Sequence, residues 1–216
     1  MWRRIFCRYL LPALLLLLGA QTAGADAIVY TFQGVGTGSI GNTPFTRSPF
    51  TITLTADTNS ISQFALPCTP APCTVLDVPA TAATISVDGL TAAITSPIGV
   101  FDNQTIAALG LSRITGLGSG GIGSDLMDLS NAAFSGYGLT GPFGPVGPVN
   151  LGGLSEFSCS AGCVTTELGN LTLTSASQVT FTDPISTPEP ASVLLLGSGL
   201  LIIAGIRRRA LARIHA

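Results

Sequence analysis

The residues that could carry chemistry in this chain are almost all carboxylates. Its single histidine is His215, and lysine is absent from the 216-residue sequence. This composition excludes Ser–His and Cys–His nucleophilic pairs, Schiff-base lysines and His-containing metal sites in the central region. The sequence also lacks a Gly-x-Ser-x-Gly elbow and a phosphate-binding loop with its lysine.

A pair of carboxylates could still support glycoside hydrolysis, which needs only a general acid and a nucleophile or base. The candidates are Asp57, Asp77, Asp88, Asp102, Asp125, Asp128, Glu156 and Glu167. Asp88 is explained by a turn, and Asp57 and Asp102 stand next to asparagines in stretches typical of turns. Asp125 and Asp128 are expected to form a solvated pair, because no loop supplies regularly spaced ligands for calcium. We therefore expect no enzyme activity, no cofactor and no metal.

Four cysteines lie in the central region, as "CTPAPC" (Cys68 and Cys73) and "CSAGC" (Cys159 and Cys163). An even number is typical of disulfides in an exported domain. The simplest pairing is local, Cys68–Cys73 and Cys159–Cys163, and cross-pairing remains open. Four thiolates could instead bind zinc, but the spacing is loose for such a site.

The central region is acidic. Residues 26–187 contain ten acidic residues and only Arg47 and Arg113 as bases, a net charge near −8. Proteins that bind nucleic acid neutralise phosphates with basic residues, so nucleic acid is excluded as a partner.

The elements that must position these residues are predicted to be short strands. "AIVYTF" (Ala27–Phe32) and "FTITLTA" (Phe50–Ala56) are the first, and the latter alternates apolar residues with threonine, as a half-buried strand does. Asp88-Gly89 between two such runs predicts a hairpin turn. Further strands are expected near Val100 and from Thr105, Asn170 and Ser177, and residues 124–134 form either a short helix or a strand. The pattern predicts an all-β fold, an antiparallel β-sandwich.

Two segments are expected to be irregular. "LPCTPAPCTVLDVPA" carries four prolines, which predicts that it lies outside any central strand. "SGYGLTGPFGPVGPVNLGG" is rich in glycine and proline, which predicts a long surface loop.

The N-terminal segment has the pattern of a signal peptide. Three arginines precede the short apolar core Leu10–Leu18, and Ala23-Gly24-Ala25 fits the small-x-small pattern of a cleavage site. We predict a signal peptide over residues 1–25, cleaved after Ala25 by the general secretion machinery, with Ala27 as the nearby alternative. An uncleaved membrane anchor is the other interpretation, but the apolar run is far shorter than the ~20 residues of a spanning helix.

The C-terminal segment has the pattern of a membrane anchor. Residues 184–190 form a proline-rich linker, and residues 191–206 are an uncharged segment predicted to be a transmembrane helix. Residues 207–216 begin with Arg207, Arg208 and Arg209, which by the positive-inside rule stay cytoplasmic. The domain between, residues 26–183, is then exported.

Within this segment, "TPEPASVLLLGSGLLIIAGIRRR" resembles the PEP-CTERM protein-sorting signal. The resemblance is carried by Pro188, Glu189 and Pro190, then a glycine-containing apolar span, then Arg207, Arg208 and Arg209. It implies a Gram-negative bacterium that makes exopolysaccharide, and an exosortase, a membrane protease-transpeptidase, that processes the tail near the motif. It further implies anchoring in the inner membrane before processing, and then a location at the cell surface or in the extracellular matrix.

Two hypotheses for function follow. The first is an exported, non-enzymatic surface or biofilm-matrix protein associated with exopolysaccharide and sorted by an exosortase. The second is a membrane-anchored carbohydrate-binding module, in which Tyr30, Tyr137 and phenylalanines would provide aromatic platforms for sugars.

Overall fold

The computed structural model describes residues 27–69, 71–116, 121–149, 151, 154 and 164–183. The strands in these ranges are β1 (Ala27–Ile40), β2 (Thr43–Asp57), β3 (Ser62–Leu66), β4 (Cys73–Val87), β5 (Leu90–Ala93), β6 (Ile98–Asn103), β7 (Ala108–Gly116), β8 (Gly121–Ser130), β9 (Phe143–Val149), β10 (Val164–Thr166) and β11 (Gly169–Asp183). The helical segments of the described residues are two 3-10 turns, Thr58–Ser60 and Ala132–Gly136.

The strands pair in antiparallel fashion in one connected sheet. The order along it is β10-β11-β1-β2-β4-β6-β7-β8, while β3 and β5 also pair with β4 and β9 pairs with β11. The predicted all-β, antiparallel class is confirmed. The alternative of a helix over residues 124–134 is resolved in favour of strand β8, followed by the 3-10 turn.

The core follows from period-two alternation in the long strands. In β1 the inward positions are Ile28, Tyr30 and Phe32, and they pair with Ala56, Leu54 and Ile52 of β2, respectively. Full burial of one such side chain stabilises the fold by about 1.5–3 kcal/mol. Threonine occupies most of the intervening positions, such as Thr31 of β1 and Thr53 of β2, and it suits the outer face of a strand without adding charge.

Strand β4 corrects the prediction that the four-proline segment lies outside central strands. Its first half pairs with β3 and β6, and its second half pairs with β2 and β5, so it is central throughout. Pro79 lies where the partners change, since pairing with β3 stops at Asp77 and pairing with β2 starts at Ala80. On this side of β4 the ladder therefore has a gap at Pro79, which has no N–H to donate, while on the other side Pro79 pairs with Gly99 of β6.

The turn after β4 is the predicted hairpin. Asp88 and Gly89 both have positive φ, 50° and 77°, and the flanking pair is Val87 and Leu90. This is the left-handed pair that a two-residue hairpin loop requires.

Strand β9 corrects the prediction of a loop in the Gly/Pro-rich segment. Phe143, Val146 and Val149 pair with β11 at Asp183, Phe181 and Val179. Pro145 and Pro148 fall between these paired positions, so the two prolines take no donor away from them.

Candidate functional site

The predicted sorting residues lie outside the described residues. These are Pro188, Glu189, Pro190, Arg207, Arg208 and Arg209, and the predicted cleavage-site residues Ala23 and Ala25 lie outside as well. In the part of the chain that is described, no helix is long and apolar enough to cross a membrane.

One of the two predicted local disulfides is present. Cys68 and Cys73 are bonded, with a Cα–Cα distance of 5.5 Å, and they join the end of β3 to the start of β4. Cys73 packs with Val75 and Phe101 in a small second hydrophobic cluster on the outer side of these strands. Cys159 and Cys163 lie outside the described residues.

The candidate carboxylates separate into exposed and buried groups. Asp125 and Asp128 are exposed, in agreement with the predicted surface pair, and Asp57 accepts a hydrogen bond from the Asn59 amide at 2.8 Å at the start of a 3-10 turn. Asp88, which lies in the hairpin turn after β4, accepts a hydrogen bond from the Ser48 hydroxyl at 2.5 Å. Glu156 lies outside the described residues.

Asp102 corrects the sequence-based prediction of a turn. It lies in β6, is 0% exposed, and pairs with Leu76 on one side and Leu109 on the other. The signal for this position was the alternation Ile98, Val100, Asp102, which places its side chain on the face that packs into the main core.

The Asp102 carboxyl is buried without hydrogen-bond partners among the described residues. Burial raises its pKa to about 7, and the neighbouring Gln104 amide offsets this only in part. The Gln104 side-chain nitrogen donates to the Tyr137 carbonyl at 2.7 Å. The neutral acid is therefore the form that suits this environment.

We expect Asp102→Asn to change how stability depends on pH. The pKa of Asp102 is raised on folding, so its favourable contribution is complete below about pH 4 and is lost as pH rises through about 7. The difference in stability between Asp102→Asn and the wild type should shift in favour of the variant as pH rises from 5 to 8, by a few kcal/mol at most. Urea unfolding at several pH values measures this slope, with Asp57→Asn at the half-buried N-cap of the 3-10 turn as the control. Equal slopes for the wild type and Asp102→Asn would contradict the buried neutral acid.

A second buried carboxyl, that of Asp183, is hydrogen-bonded to a tyrosine. The Tyr137 hydroxyl donates to Asp183 Oδ2 at 2.5 Å, and Asp183 is 2% exposed. Burial raises the pKa of Asp183 to about 6, while the Tyr137 hydrogen bond partly lowers it. Burial and the Asp183 carboxylate also raise the pKa of the Tyr137 hydroxyl, so the phenol remains protonated.

The tyrosine–carboxyl pair lies against an aromatic cluster centred on Phe181. The ring centroids of Phe32, Phe134 and Tyr137 lie 5.1, 6.0 and 5.8 Å from that of Phe181. Tyr30 stacks on the same ring and donates to the Leu139 carbonyl at 2.7 Å. These contacts tie β1, β11 and the segment after β8 together, which is a structural arrangement of satisfied hydroxyls.

A third buried carboxyl, Asp77, faces the opposite side of the sheet. Its Oδ1 accepts from the Ser112 hydroxyl at 3.2 Å, and burial raises its pKa to about 6. Among the described residues no three His, Cys, Asp or Glu side chains come together in a way that could hold a metal.

The outer face of β11, β1, β2 and β4 carries hydroxyl side chains in register. One cross-strand row is Thr182, Thr31, Thr53 and Thr84, and the next is Thr180, Gln33, Thr51 and Ser86. Cross-strand threonine pairs stabilise neighbouring strands. The face is therefore polar but uncharged along these two rows.

A cleft of about 390 Å³ lies beyond the second row, around Thr37 of β1. Its lining is Val35, Gly36, Thr37, Arg47, Ser175, Ser177 and Gln178. The register shifts in β2 opposite Thr37, where Arg47 has φ 51°, and in β11 opposite Gly34, where Gln178 has φ 52°. Left-handed backbone at non-glycine residues costs of order 1–3 kcal/mol each and is concentrated at functional positions.

Comparison with known proteins gives one match. Residues 186–209 match the family model of the PEP-CTERM protein-sorting motif. The chain has no match among curated proteins and none among solved structures. The matched segment contains the motif residues and arginines predicted from the sequence, and it implies export, membrane anchoring through this region and processing by an exosortase. The chain therefore carries a PEP-CTERM protein-sorting motif at residues 186–209.

Proposed function

We propose that the protein is a non-enzymatic component of the cell surface or of an exopolysaccharide matrix, delivered there by exosortase processing. The match over residues 186–209 is the single observation that carries the sorting part of this proposal. The positions of the described carboxyls support the non-enzymatic part.

The described carboxyls support a structural role better than a catalytic one. Asp102 faces the apolar core, and Asp183 is hydrogen-bonded to Tyr137. Asp77 lies on the other side of the sheet, where it is hydrogen-bonded to Ser112. An acid–base pair in a glycosidase needs two carboxyls that flank a substrate cleft. The cleft around Thr37 has no carboxylate in its lining.

The alternative of a carbohydrate-binding module with aromatic platforms receives less support. Tyr30 and Tyr137 are 0% and 5% exposed and belong to the core. Among the described aromatic residues, Phe64 and Phe143 are partly exposed, and all the others are buried. A stacking platform for a sugar ring needs an exposed aromatic face.

We also propose that the domain is a β-sandwich in which β4 belongs to both layers. The main hydrophobic cluster draws residues from β1, β2 and β11 and also from β6, β7 and β8. Such a shared core is what two layers packed face to face would produce.

The sorting proposal is tested by comparing wild-type cells with cells that lack the exosortase. We expect the wild type to contain a shorter form at the surface or in the medium, and the deleted cells to retain the longer form in the membrane fraction. Immunoblots of fractionated cells measure both. Unchanged size and location after deletion would refute the proposal.

A further inference from the structure

We propose that the cleft around Thr37 binds a carboxylate-bearing sugar, such as a hexuronic acid residue of an acidic polysaccharide. The inference deepens the proposed matrix function and rests on it for its biological setting. The binding itself is a property of the described domain, so it can fail or succeed independently of sorting.

The chemistry of the lining selects this ligand class. Thr37, Ser175 and Ser177 provide hydroxyls and Gln178 provides an amide, all suited to the hydroxyl groups of a sugar. Arg47 provides a guanidinium, whose fork of donors matches a carboxylate. No aromatic residue lines the cleft, so stacking on a neutral sugar ring is not available there.

Bulges in the two neighbouring strands place these groups at the cleft. Arg47 on β2 belongs to a bulge opposite Thr37, and Gln178 on β11 belongs to a bulge opposite Gly34, three residues earlier in β1; each has a left-handed φ. The Arg47 amide donates to the Thr37 hydroxyl at 3.1 Å, and the Thr174 hydroxyl donates to the Thr37 carbonyl at 3.0 Å. Bulges re-aim side chains, and here both bulged side chains line the same cleft.

The charge distribution of the domain restricts where an acidic polysaccharide can bind. Residues 26–187 carry a net charge near −8, and Arg47 is one of only two bases among them. A polyanion is therefore repelled over most of the domain surface, and recognition depends on the contact at Arg47. At about 0.15 M salt this repulsion is screened beyond about 8 Å, so binding should be measured there.

The test uses the full chain in detergent micelles and three probes: trigalacturonic acid, its neutral counterpart galactotriose, and inorganic sulfate. We expect trigalacturonic acid to bind and to shift the amide resonances of Thr37 and Gln178, while the neutral trisaccharide and sulfate bind at least about tenfold more weakly. If sulfate binds as tightly as trigalacturonic acid, the cleft is a general anion site, and the proposal of a sugar site is wrong. Equal binding of galactotriose, or no binding of trigalacturonic acid, would overturn the proposal.

Variants separate recognition from structure. Arg47→Gln should weaken trigalacturonic acid binding about tenfold or more, and Arg47→Lys should weaken it less, because the charge remains but the fork is lost. Arg47→Gly removes the guanidinium and also the backbone strain, so it should raise stability while it abolishes binding. The matched control is Thr84→Ala, an exposed residue of the same face outside the cleft, which should bind as the wild type does. Binding retained in Arg47→Gly would overturn the role of Arg47.

Discussion

Replacing Pro188, Glu189 and Pro190 by alanine is expected to reduce the processed form of the protein by about tenfold or more, since losing as little as about 1.4 kcal/mol of recognition has that effect. Proline fixes its own φ and pushes the preceding residue towards extended backbone. The Pro-Glu-Pro sequence therefore favours extended backbone at Glu189, directly before the apolar segment. Alanine removes both the charge and this restriction. Quantitative immunoblots of membrane and released fractions measure the result.

The control for this experiment is Pro184→Ala. This proline lies in the same linker but outside the matched segment 186–209. It should be processed as the wild type is. Normal processing of the triple variant, or an equal loss of processed protein in Pro184→Ala, would mean that the exosortase does not recognise the motif residues.

The second large effect is expected at Phe181, the centre of the aromatic cluster. Its ring is 0% exposed and lies 5.1 to 6.4 Å, centroid to centroid, from five other aromatic rings. Phe181→Ala removes these contacts and leaves a cavity between β1, β11 and the segment after β8, which should cost about 3–5 kcal/mol. Since natural domains have only about 5–15 kcal/mol of stability, the variant should be close to unfolding. Urea unfolding followed by circular dichroism measures the loss.

The matched control is Phe64→Ala. Phe64 is half-buried and packs on the small cluster around Cys73 rather than on the main core. Because less area is buried there, its loss should cost about 1–2 kcal/mol. If both variants lose the same stability, Phe181 is not the centre of the core.

The strands that the sequence predicted best are those with local signals. The alternation in Phe50–Ala56 and the Asp88-Gly89 turn each depend on neighbouring residues only, and both are confirmed. The central position of β4 was missed because Pro79 is tolerated only through a change of partner strands, which is a long-range fact. The same holds for β9, whose prolines are accommodated by the spacing of its pairs with β11.

The features of the candidate site also divide into those with a local sequence signal and those that depend on long-range pairing. The Cys68–Cys73 bond is local and was predicted, whereas Asp102 was assigned to a turn because Asn103 and Gln104 follow it. The cleft around Thr37 could not be predicted, because it depends on a bulge in β2 opposite Thr37 and a bulge in β11 opposite Gly34, which are long-range features of the strand pairing. Nothing in the local sequence of Arg47 or Gln178 signals a left-handed backbone, which is usually a property of glycine.

The central claim is that the segment 186–209 is a sorting signal that is processed, and the C-terminus of the surface form tests it most directly. Mass spectrometry of the protein recovered from the cell surface or medium should identify a C-terminal peptide that ends near Pro188-Glu189-Pro190. Peptides that contain Arg207, Arg208 and Arg209 should then be found only in the membrane fraction. A surface form that retains the complete tail through Ala216 would contradict the account.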